Sequence, residues 1–316
     1  MRKILFSLIF IGCFAGQVAA QFQTGMSINP FSNRLPEIHN PALTPLHSVP
    51  SLSLIGASSM TGFDHHPLTA SLLCSGSLVD KLGGIVRVNY DQAGLSARTD
   101  IQLGLVYYVF LNKSKEAGGD KKGDKFSFSL AGHFIQDKLS RDDILVKDPN
   151  DPNLINISQV SPNGDASAGI AFLRENKYYA GLSVYQLLGT KSTYMNTTWE
   201  NVRKRHYYLQ AAYTINCGGK SEVDIELHGI AAAIEFTDYR YETGISVSFL
   251  KSLTMGIGYQ SNGAIKIHAG IKAQAWDFGY ACSYGERVEA TKYTYKVFQN
   301  GIFIRKLFNE GRRSKS

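Results

Sequence analysis

From Lys204 to Tyr284 the chain alternates apolar and polar residues in run after run. In Val223-Asp224-Ile225-Glu226-Leu227-His228 every odd position is apolar and every even one is charged or a histidine. Successive side chains on a strand face opposite ways, so such a run has one greasy face and one wet face. Elsewhere Phe126, Phe128, Leu130 and Phe134 oppose Ser127, Ser129 and His133. Tyr207, Leu209, Ala211, Tyr213 and Ile215 oppose His206, Gln210, Thr214 and Asn216. Ile265, Ile267, Ala269 and Ile271 oppose Lys266, His268 and Lys272. The runs predict fourteen strands, at 51–58, 67–75, 83–91, 101–111, 125–136, 166–173, 177–186, 204–216, 222–232, 241–250, 252–260, 264–273, 276–285 and within 292–308. Twelve strands is the alternative count. A soluble β-sandwich carries the same alternation, so a second argument is needed.

Loop lengths supply it. Bacterial membrane barrels have short periplasmic turns and longer outer loops. With both termini periplasmic, the turns after strands six, eight, ten and twelve are periplasmic. They are Arg174 to Asn176, Cys217 to Ser221, Lys251 and Gln274-Ala275, all short. The connections after strands five, seven and nine are 137–165, 187–203 and 233–240, all longer. Two connections break the rule. Residues 112–124 form a long connection on the periplasmic side, and Ser261-Asn262-Gly263 is a tight Asn-Gly hairpin on the outer side.

The N-terminus points to export. Arg2 and Lys3 form a basic start, Ile4 to Phe14 an apolar run, and Val18-Ala19-Ala20 a small-residue cleavage site between Ala20 and Gln21. Cys13 after Phe10-Ile11-Gly12 offers a lipoprotein site as the competing reading. No later stretch reaches the about 18 apolar residues of a spanning helix. Only helices or closed barrels satisfy their backbone in lipid, so a membrane protein of this kind crosses with strands. Residues 21–50 carry Pro30, Pro36, Pro41, Pro45 and Pro50, too many for regular ladders. The expected organisation is a signal peptide at 1–20, an irregular plug or docking segment at 21–50, an all-β transmembrane antiparallel barrel at 51–308, and a basic tail at 309–316.

Composition agrees with a barrel. Charged residues are 19% of the 316, while glycine (30), tyrosine (17) and phenylalanine (17) are plentiful. Aromatic girdles at both membrane interfaces would use them. The net charge of +7 resides in Lys113 to Lys125, Arg203-Lys204-Arg205 and Arg312-Arg313-Ser314-Lys315. In an exported strand-rich chain, lipid phosphates or an acidic partner suit it better than nucleic acid. After the signal, Cys74, Cys217 and Cys282 remain, which is no disulfide framework.

Candidate chemistry is sparse. His65-His66 is the adjacent pair, but neighbours on an extended chain point apart and rarely share a metal. His206, His228 and His268 lie on the polar faces of their strands and read as lumen histidines. An outer-membrane lipid hydrolase would need a serine–histidine pair with an orienting third group, and no GxSxG motif is present. Asp148-Pro149-Asn150-Asp151-Pro152-Asn153 is oxygen-rich but lacks the glycine and distal glutamate of an EF-hand. The expectation is a protein without catalytic residues, metal or cofactor.

Three motifs then stand out in order. Asn40-Pro41-Ala42, after Ile28-Asn29-Pro30, resembles the NP…NPA opening of the PorP/SprF family of Bacteroidetes outer-membrane proteins. Tyr178 to Leu188, containing Gly181-Leu182-Ser183, resembles that family's YxGLSxxxLL segment. Arg205-His206-Tyr207-Tyr208-Leu209-Gln210-Ala211-Ala212-Tyr213 resembles its RHYxLxAGY segment. Leu43-Thr44 replaces the usual aromatic, Ala212 replaces a glycine, and the match fades after Tyr284.

The resemblance implies an outer-membrane component of the type IX secretion system, with gliding in some species. It implies partners in outer-membrane lipid, in periplasmic ring and lipoprotein components, and in secreted cargo. Asn40, Pro41, Ala42, Gly181, Leu182, Ser183, Arg205, His206 and Tyr207 are the candidate docking or structural positions. The competing function is a passive porin or small-molecule transporter.

Overall fold

The computed structural model describes residues 28–46, 49–60, 66–94, 96–111, 123–139, 162–193, 200–217, 222–235, 238–290 and 293–308. The first seven strands are β1 (Ser51–Ser59), β2 (Leu68–Val79), β3 (Leu82–Ala93), β4 (Ser96–Phe110), β5 (Lys125–Leu139), β6 (Asn163–Arg174) and β7 (Tyr178–Tyr185). A small hairpin follows, β8 (Lys191–Thr193) with β9 (Glu200–Val202). Seven more strands complete the chain: β10 (His206–Cys217), β11 (Val223–Ile234), β12 (Asp238–Phe249), β13 (Leu253–Gln260), β14 (Ile265–Ala273), β15 (Trp276–Ala290) and β16 (Tyr293–Leu307).

Fourteen of these strands form one closed antiparallel barrel, with β8 and β9 outside it. The final strand, the least legible in the sequence, is the one that closes the ring. β16 pairs with β1 from Ser51↔Leu307 to Ser59↔Gln299. Closure leaves no sheet edge to pair with a neighbour. The connection read as a plain loop at 187–203 contains β8 and β9. The signal, its cleavage site, the tail 309–316 and the core of the loops 112–122 and 140–161 lie outside the described residues.

The short turns gather at one rim. Leu250 and Lys251 make a two-residue reversal with φ of 52° and 53°, the left-handed geometry that suits the twist of adjoining strands. At the other rim Gly263 takes φ 85°, and the Asn262 side chain accepts a bond from the Ala264 amide at 3.1 Å.

The wall is inverted relative to a soluble protein. Ile265, Ile267 and Ile271 are more than half exposed, whereas Lys266 and His268 between them are buried. Leu103, Leu105, Leu130, Leu209, Met255 and Ile302 stand outward around the circumference. An apolar exterior on a closed barrel is the surface that lipid requires. Rings of aromatics edge it, with Tyr107, Tyr213, Phe249 and Trp276 toward the short turns and Tyr90, Phe134, Tyr259 and Tyr284 toward the other rim. From Trp276 to Tyr284 is roughly 27 Å along the strand, or about 20 Å along the axis at a tilt of about 40°. That is the scale of the membrane's apolar core. No helix among the described residues is long and apolar enough to cross a membrane.

Candidate functional site

The lumen is filled by the chain's own N-terminal segment. Residues 28–46 run from a cluster of Ile28 with Tyr185, Tyr208, Ile230 and Ile234 down to Pro45 and Leu46 near the short turns. Proline prevents a strand here, and the chain instead takes two short 3₁₀ turns at Pro36–Ile38 and Pro41–Leu46. Contacts from β2, β3, β5, β7, β12, β13, β14, β15 and β16 converge on it, so it lies inside the ring.

Apolar packing holds one side. Phe31, Leu35 and Ile38 join Ile55, Leu73, Ile85 and Phe303 in a buried cluster. Phe31 meets Phe303 edge to face at 4.8 Å. Gly279 makes room for that ring, since a Cβ there would stand 2.1 Å from Phe303.

The polar wall grips the segment by its main chain. Lys266 Nζ donates to Pro30 O at 3.2 Å, and Arg305 to Arg34 O at 3.3 Å. Arg87 and Tyr185 both donate to Ile38 O, at 2.7 and 3.0 Å. Ser183 donates to His39 O, Ser127 to Ala42 O and Lys125 to Pro45 O. Proline-broken backbone leaves carbonyls without ladder partners, and the lumen side chains satisfy them. Charges are paired. Lys266 binds Glu242, both buried, and Asp277 receives Arg34 at 2.8 Å and Arg305 at 2.5 Å.

Two of the three sequence motifs meet here. The Asn40 carboxamide lies between β6 and β7. Its Nδ2 donates to Ile170 O at 3.1 Å, and its Oδ1 accepts from the Ala42 amide at 3.0 Å, fixing the turn before Pro41 and Ala42. A Cβ on Gly181 would stand 2.4 Å from Asn40 Nδ2, and one on Gly169 2.3 Å from Asn40 Oδ1. Gly181 is thus the seat of Asn40, and Ser183, one inward position on, holds the preceding carbonyl. Leu182, between them, faces outward.

The third motif splits. His206 is buried beside the upper cavity, Tyr207 points outward, and Arg205 is exposed with its Nε donating to Leu187 O at 3.2 Å. The plug contact comes from Tyr208, whose ring lies over His39 at 4.7 Å. Tyr208, Gly169, Ser127, Arg87 and Lys266 all belong to this site without being singled out by motif. The signal that could have found them is parity, because each shares the inward face of its strand.

Burial sets the protonation of the plug. It holds His39 as the neutral ring, lowered to about 3, with Arg87 and Lys266 adding to the effect. Neutral Nε2 then accepts from the Asn29 amide at 3.1 Å. Burial also raises the Glu37 carboxyl, against the pull of Arg305 and a bond from Ser75.

One arrangement resembles a hydrolase relay. Ser167 Oγ lies 2.8 Å from His133 Nε2, and His133 Nδ1 lies 3.0 Å from Asp100 Oδ1. Ser167 is 1% exposed, and Arg87 also approaches Asp100, at 3.8 Å. The trio ties β4, β5 and β6 together on their inward faces. Cys74, Cys217 and Cys282 form no disulfide among the described residues.

Two cavities lie beside the plug. A cavity of about 120 Å³ toward the long-loop rim is lined by Arg87, Arg98, Asp91, Asp100, His206 and Tyr208 among others. One of about 220 Å³ opens toward the short turns, between Asn33, Arg34, Tyr178, Asp224, Glu226 and Arg305.

A filled barrel with a motif-built plug seat can now be set against known proteins. A family model described as type IX secretion system membrane protein PorP/SprF matches residues 20–299. The chain belongs to the PorP/SprF family. The match spans the described plug and runs into β16, beyond the Tyr284 at which the motif resemblance fades. No curated protein matches the chain in sequence. The CymD monoaromatic hydrocarbon channel is 11% identical, with a TM-score of 0.50, over 91% of this chain and 95% of that one. The Ralstonia pickettii toluene transporter TbuX is 8% identical, with a TM-score of 0.50, over 89% of this chain and 94% of that one. At such identities the likeness is one of fold, a closed barrel of similar build.

Proposed function

We propose that this PorP/SprF member is a plugged, non-enzymatic outer-membrane component of the type IX secretion machinery. It serves polypeptide partners at its rims and does not pass solutes through its lumen. The observation that carries this reading is the plug: Phe31, Leu35, Asn40 and Leu43 are at most 1% exposed inside the ring. Family membership supports the secretion role, and the apolar girdled exterior supports the membrane. The partners we expect are periplasmic ring and lipoprotein components, with secreted cargo as a further one, and gliding as an output in some species. Export would follow cleavage between Ala20 and Gln21.

The test is genetic. A strain lacking this gene should retain type IX cargo in the periplasm, and normal cargo secretion in that strain would overturn the role. The competing passive channel has an equally direct test. The two structural neighbours are a hydrocarbon channel and a toluene transporter by their titles. Planar-bilayer recordings of the purified protein should be silent, and steady conductance would favour the channel.

A further inference from the structure

We propose that the cavity at the short-turn rim receives a single lysine or arginine side chain from a partner polypeptide. The proposal rests on the reading of the barrel as a partner-binding component, and it names the chemistry of that contact. At about 220 Å³, the space holds roughly seven waters, or one long side chain.

Near its inner end stand polar atoms that have no hydrogen-bond partner among the described residues. Asn33 is 7% exposed, and its Nδ2 reaches Ser246 Oγ at 3.4 Å and His268 Nε2 at 3.1 Å. Its Oδ1 is buried without a hydrogen bond. Ser246 sits directly opposite Glu226 in the β11–β12 register, so the Asn33 amide and the Glu226 carboxylate share one patch of wall. His228, next on the inward face of β11, is 6% exposed, and neither ring nitrogen has a hydrogen-bond partner. Its Nδ1 lies 3.8 Å from Glu226 Oε1, beyond hydrogen-bond reach.

Buried polar atoms without partners are rare, and each calls for a ligand or water. Here a carboxylate and a carboxamide oxygen line the cavity, with the imidazole of His228 behind the carboxylate, and the group they lack is a charged N–H donor. Of the cavity's three cations, Lys177 lies in the turn at the rim, and the other two direct their hydrogen bonds elsewhere. Arg34 turns two nitrogens to Asp277 and Thr254, and Arg305 is also drawn to Asp277. Asp224, at the mouth on the same face of β11, accepts from Asn216 at 2.7 Å and adds a second negative charge. An ammonium or guanidinium entering from the short-turn side would meet Asp224 first, and then Glu226 and Asn33.

The experiment uses the purified full-length protein in detergent micelles and two probes. They are the blocked peptide Gly-Ser-Lys-Ser-Gly and its norleucine analogue, with binding followed by saturation-transfer NMR. The lysine peptide should bind, and the norleucine peptide should bind about tenfold more weakly or not at all. Glu226→Gln should weaken the lysine peptide by about tenfold and leave the norleucine peptide unchanged. Equal binding of the two peptides to the unmodified protein, or no binding of the lysine peptide at millimolar concentration, overturns the proposal without any variant. An unaltered affinity in correctly folded Glu226→Gln, judged by heat-modifiable gel mobility, does so too. Failure here leaves the secretion role standing, because that role is decided by the deletion strain.

Discussion

The two faces of one strand in this protein follow opposite rules. On β14, Ile265, Ile267 and Ile271 point outward and stay exposed, while Lys266 and His268 point inward and are buried. The outer face asks only for apolar surface of the right height, because lipid makes no directional demand. The inner face asks for particular partners at particular positions, because each buried polar group there must find a hydrogen bond. Outer positions should therefore tolerate exchange among apolar residues, and inner positions should be unforgiving.

The inner face should show the largest effect. Glu242 and Lys266 are both essentially buried and paired. Glu242→Ala leaves an ammonium alone in the lumen and should cost about 3–5 kcal/mol, measured by urea unfolding from lipid vesicles. A loss well under that range would mean the inner face is as lenient as the outer one.

Next comes the outer face broken by charge. Leu103 stands outward at mid-strand on β4, and Leu103→Arg should cost about 2–4 kcal/mol in the same assay. Leu103→Ile should be close to neutral, and a large cost for that exchange would contradict the asymmetry.

Asn40→Ala tests the plug seat. Losing the bond to Ile170 O and the cap on the Ala42 amide should cost about 1–3 kcal/mol, confined to plug docking. Hydrogen exchange should quicken across residues 28–46 with the barrel strands unchanged. Uniform acceleration of strands and plug together would show the two to be one cooperative unit.

The effect that is smallest per step of the measurement is on pH. His39 is held neutral down to about 3, while in the unfolded chain it titrates near the ordinary 6.5. Between those values the unfolded chain binds a proton that the docked plug refuses. Stability therefore falls as pH drops from about 6.5, by up to about 1.4 kcal/mol per unit. Glu37 works in the other direction, since its raised carboxyl binds its proton before the unfolded chain does. The readout is accordingly the difference between the native protein and His39→Gln: as pH drops below about 6.5, native stability should fall more steeply than that of the variant. Parallel curves would show that His39 takes up its proton in place.

The strand series was legible because a barrel wall has period two everywhere, and all fourteen strands fell where alternation put them. The turns were legible where chemistry marked them, as at Asn262-Gly263, and less so at Leu250-Lys251, where no glycine announces the reversal. Of the motif residues, Asn40, Pro41, Ala42, Gly181 and Ser183 belong to one seat, and His206 borders the upper cavity. Leu182 and Tyr207 face the other way by the same alternation that predicted their strands. Tyr208 was hidden because a tyrosine suits either face of a barrel, and its neighbour Tyr207 takes the outer one.

By itself the sequence determined that this chain makes a ring of strands with one apolar and one polar face, because that information repeats every second residue and needs no distant partner. The tertiary structure alone decided that the ring is filled. The proline-broken stretch 28–46 carries no period to read, and its place depends on carbonyls meeting Lys266, Arg305, Arg87, Ser183, Ser127 and Lys125, side chains scattered between positions 87 and 305 of the sequence. Local pattern can specify a wall, but only closure brings together the groups that fill the space it encloses.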